Sequence, residues 1–449
     1  MAQKKQRPVR TRNGVPLTRD EYRQMKRAKE REDRRKRQEA WEAARGPLDM
    51  PFLLLAMLLL GIGLLMLFSA SFPDAQASSR LGNDPFYFIR RQVIFAALGV
   101  GLMLWVSKIN YERFRGLARL ALIVSFVLLI LVVIPGPKEN GRLLAISANG
   151  AARWLGVPNT TLTFQPSDVA KLGLIVFFAE SISKKREKMK DLKEGFGYHI
   201  AILLSMVLLT AIEPHFSGAI LIAGIGAAMM VVGGIHWGWI VAGVSGLGFA
   251  SYLLAFTDVI ENFFKAIKYN ASRIAVWKDP FGGDIEFRRD EAYQTIQSLY
   301  AVGSGGLLGV GFGKSRQKFG FLPEAQNDYI FAIVLEELGL AGGTMIMVLF
   351  ALLIIRGFWL AIHARDRFGS LLIVGVTTQI ALQTFLNIAV VTNLIPSTGI
   401  SLPFFSSGGT ALVIQLVEIG IVLSVSRQIP APKELTFPSN AFSLDERKK

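Results

Sequence analysis

The chain has 449 residues, 51% of them hydrophobic, with 50 Lys and Arg against 34 Asp and Glu and a formal charge of +16. Only 19% of residues are charged, below the roughly 25% usual in soluble domains, and there is no cysteine. This excludes a disordered chain, disulfides, thiolate metal or iron–sulfur sites and a cysteine nucleophile, and it argues against a soluble multidomain enzyme.

The excess charge begins at the amino terminus, where residues 1–49 carry 16 Lys and Arg against 8 Asp and Glu. Thr18 and Glu21 form a capping-box pattern that predicts a charged helix from about Arg19 to Ala44. Basic arms also bind nucleic acid, but this one runs straight into Pro51–Phe72, 22 residues without a charge. A basic segment before an uncharged stretch of that length is the cytoplasmic anchor of a first membrane span, in contact with membrane lipids. The expectation is therefore no nucleic-acid role. The arm is too long and too charged for a signal peptide, so no cleavage is expected.

Further spans follow. Gln92–Ser107, Leu120–Gly136 and Phe196–Ile212 each suit one crossing, and Asp168–Ser183 suits one despite Asp168, Lys171 and Glu180. Pro214–Thr257 holds 44 residues without Asp, Glu, Lys or Arg, about 66 Å as helix and so two crossings. Its turn is expected at Gly233–Trp239, where Gly-Gly meets two tryptophans. Tyr329–Ile355 makes one more span, and Phe368–Val417, 50 uncharged residues broken by Pro396, Pro403 and Gly408-Gly409, makes two. The basic loops Lys108–Arg119, Lys184–Lys193 and Arg356–Arg367 all fall on the arm's side of a ten-span chain, as the positive-inside rule requires.

The expected fold is an all-α polytopic membrane protein, with ten transmembrane helices and a large folded extracytoplasmic loop between spans 7 and 8. The domain reading is a basic cytoplasmic arm at 1–49, part helical or disordered, a ten-span body at 50–427 with its large outer loop at 263–328, and a cytoplasmic tail at 428–449. That loop is far longer than a turn needs, and Trp277, Phe281, Phe287, Tyr293 and Tyr300 are spaced as in buried amphipathic helices. Its glycine-rich run from Gly303 to Gly313 lacks the frame of a nucleotide-binding loop.

Ionisable residues inside spans are functional candidates by default. Lys171 shares a helix face with Asp168 and can either pair with it or bind an anionic lipid headgroup. Glu180 and Glu418 read as structural groups near cytoplasmic ends, while Glu336 and Glu337 divide evenly between packing and a pocket. Asp328 stands where the long loop meets a helix amino terminus, where a carboxylate could also be a simple cap. His199, His215, His236 and His363 include no i, i+4 ligand pair, so no metal site is expected from protein residues.

Three ordered motifs tie these segments together. The first is Asn149-Gly150-Ala151-Ala152-Arg153-Trp154-Leu155-Gly156, followed by Phe164-Gln165-Pro166-Ser167-Asp168 and Lys171-Leu172. The second is Leu322-Pro323-Glu324-Ala325-Gln326-Asn327-Asp328-Tyr329-Ile330-Phe331 with Glu336-Glu337-Leu338-Gly339. The third is Asn387, then Pro396–Phe404, then Ser406-Ser407-Gly408-Gly409. From about Pro51 to Arg427 the chain resembles the SEDS family (shape, elongation, division and sporulation), the FtsW/RodA/SpoVE type of peptidoglycan glycosyltransferase.

That resemblance implies polymerisation of lipid II into β-1,4 glycan strands at the outer face of the bacterial cytoplasmic membrane, with both termini cytoplasmic. It implies a class B penicillin-binding protein, a single-span transpeptidase, as partner, together with proteins of a division or elongation complex. The family's essential acidic residue falls on Asp328, its Arg on Arg153 and its Lys on Lys171. Gln165, Ser167, Glu324, Ser406 and Ser407 are further substrate-binding candidates, with Lys314, Arg316 and Lys318 as weaker ones for the diphosphate charge. His215 and Ser217-Gly218 depart from the usual Asp and Gly-Thr, Ser407 from Tyr, and Asn327 from Thr.

The chemistry agrees with one carboxylate. A diphosphate leaving group needs no strong acid, so Asp328 as general base for the acceptor 4-hydroxyl suffices. The diphosphate charge falls to Arg153 and Lys171, or to Mg2+ or Mn2+ as the one cofactor considered. A lipid II flippase and a non-catalytic scaffold for the transpeptidase remain as alternatives. The long arm favours a division-type member, since elongation-type members start close to the first span.

Overall fold

The computed structural model describes residues 46–134, 145–148, 151–156, 163–213, 215–239, 241–243, 245–246, 272–283, 285–289 and 292–429, with three isolated positions in the arm. The capped helix expected in the arm, the 428–449 tail beyond Ile429 and most of the second crossing expected within Pro214–Thr257 lie outside these residues.

Asp49 opens the first long helix, α1 (Met50–Ala77), by accepting the Phe52 N–H at 3.0 Å, with Pro51 where no helical donor is needed. Two more long helices follow, α2 (Tyr87–Val106) and α3 (Glu112–Val133). Between α3 and the next helix the chain departs from the all-helical expectation. A small antiparallel sheet forms from β1 (Ala145–Ala148), β2 (Ala151–Gly156) and β3 (Thr163–Phe164), with Ile146 opposite Trp154 and Leu155 opposite Phe164. The β1 and β2 strands flank the dipeptide Asn149-Gly150, the strongest short hairpin signal, so this element was readable in the sequence. Leu155 and Phe164 pack on Val132 at the end of α3, and the Thr163 carbonyl accepts the Thr410 hydroxyl at 3.1 Å.

Helix α4 (Pro166–Lys184) carries its charges because almost none of it meets lipid: residues from Gly173 to Ile182 are all buried. After a short 3-10 turn and a π turn come α5 (Gly197–Ile212) and α6 (Phe216–Val232). The segment joining α6 to the last long helices contains α7 (Ser272–Lys278), α8 (Ile285–Arg289) and α9 (Tyr293–Gly305). Of the aromatics expected to be buried there, Phe281 and Tyr300 are instead 48% and 50% exposed, with ring centroids 6.1 Å apart. Then come α10 (Ile330–His363), α11 (Arg367–Val391) and α12 (Gly409–Ser426). Seven helices among the described residues are long and apolar enough to cross a membrane: α1, α2, α3, the 192–212 segment ending in α5, α10, α11 and α12. Helix α6 is apolar but shorter, and α4 falls out of that set through its charges.

Burial separates the helices into an inner and an outer group. In its most apolar stretch α11 has 72% of residues buried, against 22% for α3, so α11 is enclosed by protein while α3 faces lipid. At the basic end, Asp366 caps α11 through the Gly369 N–H at 3.1 Å and ion-pairs with Arg115 of α3. The Tyr111 hydroxyl also donates to Asp366 at 2.7 Å, and burial, then that bond, pushes its phenol above the ordinary range. Capping and tethering therefore use one carboxylate.

Helix α10 is not continuous. Gly339 sits at φ +68°, and the carbonyls of Glu336 and Glu337 accept from Val310 and Gly311 N–H, both at 3.0 Å. In return Leu340 and Ala341 N–H donate to the Gly306 and Leu307 carbonyls at 2.9 and 3.0 Å. An unbroken helix would have joined those same carbonyls and amides to each other. The approach demands glycine on both sides, because a Cβ on Gly309 would sit 2.2 Å from the Glu337 oxygen and one on Gly339 would sit 2.2 Å from the Gly309 nitrogen. The glycine-rich run serves this exchange of backbone bonds.

Candidate functional site

The second motif ends in a tight turn. Glu324 adopts φ +57°, and its carbonyl accepts the Asn327 N–H at 3.0 Å, which brings Asp328 to the start of α10. The third motif holds that turn. Ser406 Oγ donates to the Asn327 carbonyl at 2.7 Å, and the Ser407 N–H donates to the Gln326 carbonyl at 2.9 Å. Asn387 of α11 donates to the Asp328 carbonyl at 2.7 Å and to the Ile400 carbonyl at 2.6 Å. One fully buried amide thus fixes the backbone of Asp328 against the irregular segment between α11 and α12. Gly399, at φ +68°, leaves the room for the carboxylate: a Cβ there would lie 2.9 Å from Asp328 Oδ2.

These elements surround a cavity of about 550 Å³. Asp328, Glu324, Gln165, Lys171, Ser406 and Ser407, all expected from sequence, line it together. Lys171 ion-pairs with Asp168 at 2.8 Å, the pairing anticipated from their i, i+3 spacing. Gln165 Nε2 lies 3.0 Å from Nε2 and 3.2 Å from Nδ1 of His215, so the departure at position 215 brings an imidazole to the wall. Ser167 is buried behind that wall rather than on it. Arg153 lies in β2 beside Trp154, which lines the cavity, but the side chain of Arg153 is outside the described set. Lys314 and Arg316 are exposed on the turns after α9 and are not part of the lining.

Several lining residues carried no weight in the sequence reading. Arg273 of α7 donates to the Ser397 carbonyl at 3.0 Å and adds a second cation. Gln379 and Gln383 of α11 and Gln415 of α12 give the inner end an amide lining. The signal was present: Gln379, Gln383 and Asn387 recur at i, i+4 and i+8 along an uncharged stretch and so share one helix face. The search for ionisable groups passed over them. Asp168 Oδ2, Gln379 Oε1 and Gln383 Oε1 are buried acceptors without a protein donor, a lining that hydroxyl groups or water complete.

The remaining buried acids are structural. Glu336 accepts the Arg316 N–H at 2.9 Å and the Ser315 hydroxyl, and Glu337 ion-pairs with Lys318 at 2.7 Å while accepting the Ser69 hydroxyl. Glu180 pairs with Lys184. Glu418 departs from its expected place near a helix end: it is the tenth of 18 residues in α12, buried, and held by Gln379 at 2.8 Å. Among the described residues no group of three or more His, Asp or Glu could hold a metal ion. A divalent ion here would take Asp328 or Glu324 together with oxygens of a bound diphosphate.

Known proteins resemble this chain along the same stretch. The FtsW/RodA/SpoVE family, described as cell cycle protein, matches residues 50–430. The stage V sporulation protein E of Bacillus subtilis (strain 168) is 39% identical over 380 residues, covering 84% of this chain and 97% of the relative. A probable peptidoglycan glycosyltransferase FtsW of Geobacter sulfurreducens (strain DL-1 / KN400) is 37% identical over 383 residues, covering 85% and 95%. Among solved structures, a chain of a peptidoglycan synthase complex that coordinates polymerization and crosslinking aligns with a TM-score of 0.66 at 24% identity, covering 85% of this chain and 98% of that one. The rod shape determining protein RodA of Thermus thermophilus aligns with a TM-score of 0.58 at 24% identity, covering 86% and 99%.

Proposed function

The chain belongs to the FtsW/RodA/SpoVE family of cell cycle proteins, and from that membership we infer that it is a multi-pass membrane peptidoglycan glycosyltransferase. Its substrate is lipid II, polymerised into β-1,4 glycan at the outer face of the bacterial cytoplasmic membrane. The body has ten spans with both termini cytoplasmic, since the basic loops then share one side. Its partners are a class B penicillin-binding protein and the proteins of a division or elongation complex.

One observation carries the reading: Asp328, Lys171 and Arg273 line one polar cavity walled in part by α4, α11 and α12, the helices most enclosed by protein. Irregular backbone at such depth is tolerated where it lines a cavity, which is the role of the segment from Ser397 to Gly408. Asp328 accepts the proton of the acceptor 4-hydroxyl as that oxygen bonds to the donor anomeric carbon. The bond from that carbon to the diphosphate breaks, the configuration inverts, and the polyprenyl diphosphate leaves with its electron pair. Lys171 and Arg273 meet the developing charge, with Arg153 as the further candidate. Trp154 and the amides of Gln165, Gln294 and Gln415 orient the sugars. Donor and acceptor are lipid-linked, so their headgroups enter the cavity while their tails stay in the bilayer.

The test is purified protein, with and without its transpeptidase partner, given labelled lipid II. Wild type yields glycan polymer, and Asp328→Asn and Asp328→Ala yield about 10²–10⁴-fold less while remaining folded. Normal polymerisation by Asp328→Asn overturns the base assignment. Lipid movement across liposomes without polymer, retained in both variants, identifies a flippase instead.

A further inference from the structure

The turns between α9 and Asp328 present an apolar surface that the catalytic reading leaves unused. Leu307 and Leu308 are 72% and 83% exposed, and Phe312, Phe319 and Phe321 are each more than half exposed. These side chains are not on a loose loop. Residues 306–311 exchange backbone hydrogen bonds with α10 on both sides of Gly339, and Ser315 and Lys318 are tied to Glu336 and Glu337. The surface is therefore held in one place.

Its place follows from α10. The segment from Gly339 to Ile355, where the basic loop begins, is about 24 Å long at helical rise, most of a hydrocarbon core of about 30 Å. The break at Gly339 thus lies just inside one boundary of the hydrocarbon, and the turns bonded to it lie there too. Along α10, Leu340, Met345, Val348, Leu352 and Ile355 form an exposed apolar face suited to a lipid environment. Leu307 and Leu308 extend that face past its end, because Leu340 and Ala341 are the residues bonded to Gly306 and Leu307. Within the same turns Lys314 and Arg316 are exposed and lie off the cavity. Apolar side chains beside exposed cations match a phospholipid surface, acyl chains below and phosphates above.

We propose that residues 306–321 form an interfacial anchor whose Leu307, Leu308 and Phe312 enter the acyl region while Lys314 and Arg316 bind phospholipid headgroups. The anchor fixes the depth of the Asp328 turn, which follows it directly in the chain. The proposal does not depend on the glycosyltransferase reading, and its test measures depth rather than polymer.

The absence of cysteine makes the test direct, because a single introduced cysteine takes a nitroxide label without background. Leu308→Cys, Phe312→Cys, Lys314→Cys and Ile355→Cys, each shown to elute as wild type, are placed in vesicles of phosphatidylethanolamine and phosphatidylglycerol. Labels at 308 and 312 should resemble the one at 355, with high oxygen and low nickel-chelate collision rates, and the label at 314 should show the reverse. Chelate access at 308 and 312 equal to that at 314 overturns the proposal. So does shielding that arises only on adding the single-span transpeptidase, which would make this a protein-docking surface. In a second measurement the rise in melting temperature that phosphatidylglycerol gives wild type should shrink in the Lys314→Gln, Arg316→Gln double variant. An undiminished rise overturns the headgroup contact.

Discussion

Two sets of acids stand at the same end of α10 in different surroundings. Glu336 and Glu337, 1% and 0% exposed, point into protein and accept backbone amides, hydroxyls and the Lys318 ammonium. Asp328, two turns earlier, has its backbone held by Asn387 and its side chain on a cavity of about 550 Å³. Burial alone does not separate structure from chemistry in a membrane protein, since charge is costly throughout the hydrocarbon. The two sites differ in surroundings: protein donors enclose Glu336 and Glu337, whereas Asp328 lines a cavity with room for the proposed substrate.

The contrast can be broken by substitutions at each position. Asp328→Asn should lower lipid II polymerisation by about 10²–10⁴-fold with an unchanged melting temperature; a stability loss without an activity loss would reverse its assignment. Glu337→Ala should destabilise by about 3–5 kcal/mol, because Lys318 would be left buried and unpaired. Denaturation in detergent measures it, and a variant that is as stable as wild type but inactive would move Glu337 to the catalytic side. Arg273→Ala should cut kcat/KM by about 10–100-fold, the loss of one charge-assisted contact, while the lost bond to the Ser397 carbonyl lowers stability by at most about 3 kcal/mol. Asn387→Ala sharpens the comparison between scaffold and reactive group. It removes two carbonyl contacts worth about 1–3 kcal/mol together and should lower kcat with little change in KM. Asp49→Ala, which removes a helix cap and the ion pair with Arg356, should cost about 1–3 kcal/mol and leave turnover unchanged.

Much of this arrangement was legible in the sequence. Long uncharged stretches marked the helices, and the second and third motifs named the residues that meet around the cavity, from Glu324 and Asp328 to Ser406 and Ser407. What was not legible depends on contacts that spacing cannot encode. Whether Glu336 and Glu337 belonged to a pocket was decided by where the backbone of residues 315–317 comes to rest. Glu418 looked peripheral because a run of uncharged residues hides where its helix starts, and that start is set by the turn at Gly408. Arg273 had no motif, and Gln379 and Gln383 had a clear period but no charge to attract notice. Lys314 and Arg316 suggested phosphate binding on composition, yet the exchange at Gly339 carries them away from the cavity.

The borrowed backbone bonds at Gly339 bear on how the protein is made. The turns that complete α10 precede it in the chain, so during synthesis the templating strand has already left the ribosome when its helix arrives. A circular permutant with new termini between residues 321 and 322 would invert that order. It would send a gapped helix into the bilayer with four peptide groups exposed to hydrocarbon, an arrangement that the membrane disfavours by several kcal/mol per group.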